Sequence, residues 1–115
     1  MNAPQYLIVH TAAFEGAASI EDIDRWHRQR GFRMVGYHYY IRRDGTVQTG
    51  RDEAAVGAHC IHQGMNRKSL GICLEGHHDI EDWTRPQRRA FHTLAQELMA
   101  RYDIGPERVL GHRET

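Results

Sequence analysis

An α/β fold, a central mixed β-sheet flanked by helices, is predicted by three features of the 115-residue sequence. Short apolar runs of β-formers occur at Tyr6 to His10 and at Ser69 to Glu75, and each reads as a buried strand. Segments with apolar residues at helical spacing begin after Ser19 and after Thr84. Between them, Asp44-Gly45 divides a β-forming stretch as a hairpin turn would. Strands that alternate with helices pack best as a sheet with helices laid on it.

In chain order, Tyr6-Leu-Ile-Val-His10 is a strand that delivers a histidine to its end. Ile20, Ile23, Trp26 and Arg30 then follow a helical period, with Ser19 as N-cap, Asp22 completing the cap and Gly31 as the stop. Gly36 to Thr49 forms two strands about Asp44-Gly45, where glycine supplies the positive φ of a tight turn. Arg51 to Gln63 is irregular, with a short strand expected near Val56 to His59. Ser69 to Glu75 is the second buried strand, and Gly76 to Asp82 a polar loop. Thr84-Arg-Pro-Gln87 is a capping box with proline in the first turn, leading Phe91, Leu94, Ala95, Leu98 and Tyr102 along one helical face. After Gly105-Pro106, Arg108 to His112 reads as a last short strand, again with a histidine at its end.

Fifteen basic residues balance fifteen acidic ones, which argues against nucleic acid or an anionic membrane as the main partner. The first residues carry neither a basic leader region nor a long apolar run, so synthesis in a cytoplasm without membrane insertion is expected. Cys60 and Cys73 are too few for a disulfide framework and suit buried free thiols. Nine histidines in a chain this short point instead toward metal or acid-base chemistry. His10 and His112, each ending an apolar strand, can converge at one sheet edge and hold a metal there; a hydrogen-bonded core role is the alternative for each.

The ordered motifs Val9-His-Thr-Ala12, Val35-Gly-Tyr-His-Tyr-Tyr-Ile-Arg-Arg-Asp-Gly-Thr-Val47, Gly50-Arg-Asp-Glu53, Val56-Gly-Ala-His-Cys60, Gly64-Met-Asn66, Ser69 to Gly76 and Gly111-His112 span nearly the whole chain. Together they resemble the amidase-2 or peptidoglycan recognition family, and Ile23 to Trp26-His27 followed by Gly31 is similar to the phage amidase lysozymes within it.

The resemblance implies a zinc ion held by two histidines and a cysteine or aspartate, with His10 and His112 at the two histidine positions. It implies hydrolysis of the amide between N-acetylmuramic acid and L-alanine of the peptidoglycan stem, by an endolysin or autolysin acting on the cell wall after release, and a monomer. Tyr37 falls at the family's catalytic tyrosine, and a strand tyrosine packed by its ring is the competing role. Related recycling amidases carry a catalytic glutamate where Cys73 stands, which leaves Tyr37 as the family-consistent alternative, a hydroxyl that hydrogen-bonds the metal-bound water or steadies the oxyanion. His59 and Asn66 match positions lining the substrate groove; Arg51 meets a stem-peptide carboxylate or braces its loop. His27 reads as structural, and His62, His77, His78 and His92 as solvated.

Relatives place the third zinc ligand, and in phage enzymes a catalytic lysine, a little beyond the second histidine, where this sequence reaches Thr115. The sequence therefore reads as a single domain over 1–115 without that loop, with Glu114 as a nearby carboxylate. The alternative function is a muropeptide-binding module that does not cleave.

Overall fold

The computed structural model describes residues 1–12, 17–60, 62–76 and 83–111. Strand β1 (Tyr6–Thr11) leads through the described part of the connection to helix α1 (Ile20–Gln29), followed by β2 (Tyr39–Ile41) and β3 (Val47–Thr49). A 3-10 turn (His62–Arg67) precedes β4 (Ser69–Leu74), then comes helix α2 (Arg85–Tyr102), a second 3-10 turn (Pro106–Arg108) and β5 (Val109–Gly111). The strands form one sheet in the order β3-β2-β4-β1-β5. All neighbours are parallel except the β2–β3 hairpin. This is the mixed sheet with flanking helices expected from the sequence.

Each helix begins where its local chemistry dictates. Ser19 accepts from the backbone N–H of Asp22 while the Asp22 carboxylate accepts from that of Ser19, and Thr84 and Gln87 repeat the exchange at α2. At the end of α1, Gly31 takes φ +97°. Its N–H bonds the Arg28 carbonyl at 3.0 Å and that of Phe32 bonds the His27 carbonyl at 3.0 Å. This αL termination turns the chain back and sets the Phe32 ring 5.0 Å from that of His27. In the hairpin only Gly45 of the Asp44-Gly45 pair has positive φ, at +90°. The turn therefore runs from Arg42, whose carbonyl accepts from Gly45 N–H at 2.9 Å, and glycine occupies the bulge position.

Alternation along β1 and β4 sorts the two faces of the sheet. Leu7, Leu70, Ile72 and Leu74 face α2 and close a core with Leu94, Ala95 and Leu98. On the opposite face Tyr40 and Cys73 pack with Ile23 of α1, and Ile8 packs with Cys60 and Met65. The fully buried members of the first core are all aliphatic, whereas the second face is where polar residues enter.

Residues 56–59 do not form the strand expected there. Their backbone groups are bonded piecemeal: Ala58 N–H to the Gly36 carbonyl, the Val56 carbonyl to the Arg51 guanidinium, and His59 N–H to the Asn66 side chain. With its polar groups satisfied in that way, the segment has no ladder to join. The predicted first hairpin strand is also shorter than expected, since Gly36, Tyr37 and His38 precede β2. Most of the expected loop at 76–82 and all of His112 to Thr115 lie outside the described residues, as do His77, His78 and Glu114.

Candidate active site

The polar face of the sheet gathers a chain of rings. His10 near the end of β1 stands in register with Cys73 of β4. Its ring centroid is 5.1 Å from that of Tyr37 and 5.1 Å from that of His59. The Tyr37 ring continues to His27 of α1 at 5.5 Å, and His59 continues to His38 at 5.7 Å. Four histidines and a tyrosine thus occupy one side of the sheet, and His10, His27, His38 and His59 are all buried.

Bonds from ring nitrogens to fixed backbone groups hold this arrangement. His27 Nδ1 accepts from Gly36 N–H at 2.8 Å, anchoring the start of the segment that carries Tyr37. His38 Nδ1 accepts from Gly71 N–H at 3.0 Å, and its Nε2 lies 2.8 Å from the Ala55 carbonyl, which can only accept. His38 is therefore the neutral tautomer with its proton on Nε2, and burial holds its pKa below the ordinary value. Burial, with the Arg30 and Arg51 charges nearby, likewise lowers that of His27. His10 Nε2 lies 3.0 Å from His59 Nδ1, and His59 Nε2 lies 3.2 Å from Ser69 Oγ.

Burial pushes the Tyr37 phenol well above its ordinary pKa, and the neighbouring Cys73 thiol adds to the shift. The Cys73 thiol is raised by its own burial. Both groups are therefore protonated at neutral pH, which makes the Tyr37 hydroxyl a hydrogen-bond donor.

Arg51 and Asn66 join the cluster from behind. Arg51 sends Nε to the Val35 carbonyl at 2.8 Å and Nη1 to that of Val56 at 2.8 Å, while its backbone N–H bonds the Tyr37 carbonyl at 3.0 Å. These bonds are those of a brace for the Tyr37 segment. Asn66 Oδ1 accepts from His59 N–H at 2.9 Å and Cys60 N–H at 2.8 Å, fixing the His59 backbone. Of the residues singled out in the sequence, His10, Tyr37, His59, Asn66 and Arg51 thus form one connected group. His112 lies outside the described residues, but β5 brings Gly111 beside Val9, the residue before His10. His92 is exposed, as expected for a solvated histidine.

Two residues escaped the sequence reading. Ser69 is fully buried under His59; a hydroxyl opening an otherwise apolar strand was its signal. Glu75 is buried at the end of the same strand, where its carboxylate accepts from Ala18 N–H at 2.7 Å, Arg43 N–H at 2.8 Å and the Arg42 guanidinium. The Arg42-Arg43 pair before the turn was its signal.

The sequence profile of the family described as N-acetylmuramoyl-L-alanine amidase matches residues 1–115. The chain belongs to the N-acetylmuramoyl-L-alanine amidase family. It is 37% identical over 117 residues to the endolysin of Klebsiella phage KP32, a match that covers 88% of this chain and 76% of that protein. Among solved structures, the N-acetylmuramoyl-L-alanine amidase LysC from Clostridium intestinale superposes with a TM-score of 0.88 at 34% identity, covering 98% of this chain and 72% of that one. A Drosophila PGRP-LB mutant in complex with tracheal cytotoxin gives a TM-score of 0.85 at 27% identity, covering 99% and 72%. The ring cluster of this amidase therefore sits in a fold shared by enzymes and recognition proteins.

Among the described residues no group of three histidine, cysteine or carboxylate side chains is placed to hold a metal ion. Of the candidate ligands, the described residues include His10, a buried imidazole with one ring nitrogen engaged by His59, and imidazole nitrogen is a donor type that suits zinc. Among the described residues no helix is long and apolar enough to cross a membrane.

Proposed function

We propose that the protein is a zinc-dependent amidase of endolysin or autolysin type, which hydrolyses the bond between N-acetylmuramic acid and the L-alanine of the stem peptide after release to the cell wall. The observation that carries this reading is the meeting of His10 and Tyr37, with ring centroids 5.1 Å apart, on a sheet whose last strand ends at Gly111 beside Val9. His10 and His112 would hold the zinc. When bound, zinc supplies Lewis-acid polarisation of the scissile carbonyl and activation of water near neutral pH.

The chain's own residues supply orientation and hydrogen bonding. The protonated Tyr37 hydroxyl donates to the carbonyl oxygen as negative charge develops there, an interaction that strengthens along the reaction and so accelerates it. His27 and the Arg51 side chain hold the backbone just before Tyr37, at Gly36 N–H and the Val35 carbonyl, and the Arg51 backbone N–H holds the Tyr37 carbonyl, which limits the loss of alignment on substrate binding. Arg51, His59 and Asn66 remain the candidates for the groove wall, where their contacts with substrate would come in addition to the bonds already described.

The likeness to a recognition protein solved in complex with tracheal cytotoxin favours a second reading, muropeptide binding without cleavage. Zinc analysis of the purified protein, with stem-peptide release from purified sacculi measured with and without chelator, separates the two. Stoichiometric zinc with chelator-sensitive release is expected. Muropeptide binding that is indifferent to chelator, without release, would select the binding module.

A further inference from the structure

We propose that Asp24 and His27 of α1 form a proton-sensitive clamp on the Val35-Gly36 backbone, which holds Tyr37 in line while His27 is neutral and lets it go when His27 takes a proton. The inference rests on the part given to Tyr37 in the amidase reading above. The two residues are three positions apart on α1 and accept from consecutive backbone N–H groups. Asp24 Oδ1 takes that of Val35 at 2.7 Å, and His27 Nδ1 takes that of Gly36 at 2.8 Å. Gly36 leads directly into Tyr37, whose ring centroid is 5.5 Å from that of His27. The segment is also gripped from its other side. The Gly36 carbonyl accepts from Ala58 N–H at 3.0 Å, and a Cβ on Gly36 would fall 2.2 Å from the Ala58 carbonyl oxygen.

The two halves of the clamp respond differently to acid. A ring nitrogen that accepts a hydrogen bond carries no proton, so neutral His27 holds its proton on Nε2. A second proton can go only to Nδ1, where it meets Gly36 N–H donor against donor. The buried Gly36 N–H is then left without its acceptor, which favours movement of the segment away from α1. Asp24 has no such weakness. Burial acts to raise its pKa, but the bonds from Arg28 and Val35 N–H outweigh it, so Asp24 stays charged while His27 titrates. Burial, Arg30 and Arg51 hold the His27 pKa below 6.5, and Asp24 works the other way. Arg33 adds positive charge near Arg51. Across the ring, Tyr37 stands between His27 and His10 of β1, and Cys73 of β4 stays protonated beside it. The clamp is therefore closed at neutral pH and opens on the acid side of 6.5. His27 acts here as a positioning residue: it works on the reaction only through Tyr37.

Magnetic resonance spectra of the intact wild type supply the first test. At pH 8 the Gly36 amide is expected to show nitrogen–nitrogen scalar coupling across its bond to His27 Nδ1. That coupling should vanish with the midpoint of the His27 titration. The Tyr37 ring signals should move with the same midpoint, while those of the α2 face stay fixed. Turnover in stem-peptide release from purified sacculi supplies the second test. Asparagine places an amide oxygen near the position of His27 Nδ1, where it accepts from Gly36 N–H and does not titrate; glutamine places it elsewhere. His27→Gln should lower kcat at pH 8 by about 10- to 100-fold, with less effect on KM, and His27→Asn should recover most of that loss. The kcat of His27→Asn relative to wild type should then rise as pH falls through the spectral midpoint. Coupling that survives titration of His27, Tyr37 signals that ignore it, or a His27 that stays neutral until the fold is lost would each overturn the clamp. An acid profile for His27→Asn identical to that of the wild type would do the same. Absence of release from the wild type at every pH would overturn the amidase reading. The spectra need only the wild-type fold, so they would still decide whether the clamp opens.

Discussion

Gly71 lies so close beneath His59 that a Cβ at that position would fall 2.6 Å from the imidazole Cγ and 2.8 Å from Nδ1. A glycine in a buried strand normally weakens it. Here it makes room for the ring that contacts His10.

Gly71→Ala is therefore expected to force His59 off its position. The cost should be about 1–3 kcal/mol of stability, the usual range for overpacking a buried site. Urea unfolding would measure it. A variant with wild-type stability would show that the ring moves freely, contrary to its close fit.

Tyr37→Phe removes one hydroxyl and keeps the ring that packs between His10 and His27. Turnover in stem-peptide release should fall by about a hundredfold or more, the scale of losing one preorganised donor. Zinc content should stay unchanged. Full activity in this variant would remove Tyr37 from the chemistry.

Glu75 contributes through its charge. Burial acts to raise its pKa, but the bonds from Arg42, Arg43 N–H and Ala18 N–H outweigh it and hold the carboxyl below its ordinary value. A depressed folded pKa gives stability that is fully present above the unfolded value and is lost as pH falls through the folded one. Glu75→Gln should cost about 2–3 kcal/mol at neutral pH, less than a fully buried pair because Arg42 is partly exposed. The variant should also show a flatter loss of stability below pH 4.5, the ordinary carboxyl value, measurable by thermal melts across acid pH.

His38 has the opposite chemistry and the same sign. Burial holds its folded pKa below the ordinary 6.5, so the unfolded chain binds a proton before the folded one does. Its contribution is complete above pH 6.5 and declines as pH falls from there toward the folded pKa. His38→Gln should be less stable than wild type at pH 8, having lost the paired bonds to Gly71 and Ala55. The gap should narrow toward pH 5, and denaturant midpoints across this range would show it. A gap that widens on acidification would contradict the neutral tautomer assigned to His38.

What could be read from the sequence was local. Both capping boxes, the Gly45 turn and the apolar runs of β1 and β4 are specified within a few residues, and the structure has them all. His10 and Tyr37 were marked by their motifs, and they meet. The irregular segment after Arg51 was harder. Its backbone is held by Arg51 and Asn66 side chains, which compete with strand formation in a way no periodicity reports. Ser69 and Glu75 were missed for a related reason: they read only as the start and end of a buried strand until the fold supplies Met65 and His59, or Ala18 and Arg42, as partners.

The pairing of His10 with Cys73 sets a strict condition on assembly. Side chains alternate along β1, so slipping that strand by one residue would turn His10 into the aliphatic layer under α2 and present Val9 to Tyr37. Such a molecule could still be compact and rich in secondary structure, yet it would have lost the His10 imidazole from the site and left a polar ring stranded among leucines. The aliphatic layer thus serves as a proofreading device for the chemistry on the other side of the sheet: the energy that rejects a buried histidine there is what guarantees that folded molecules carry the correct functional face.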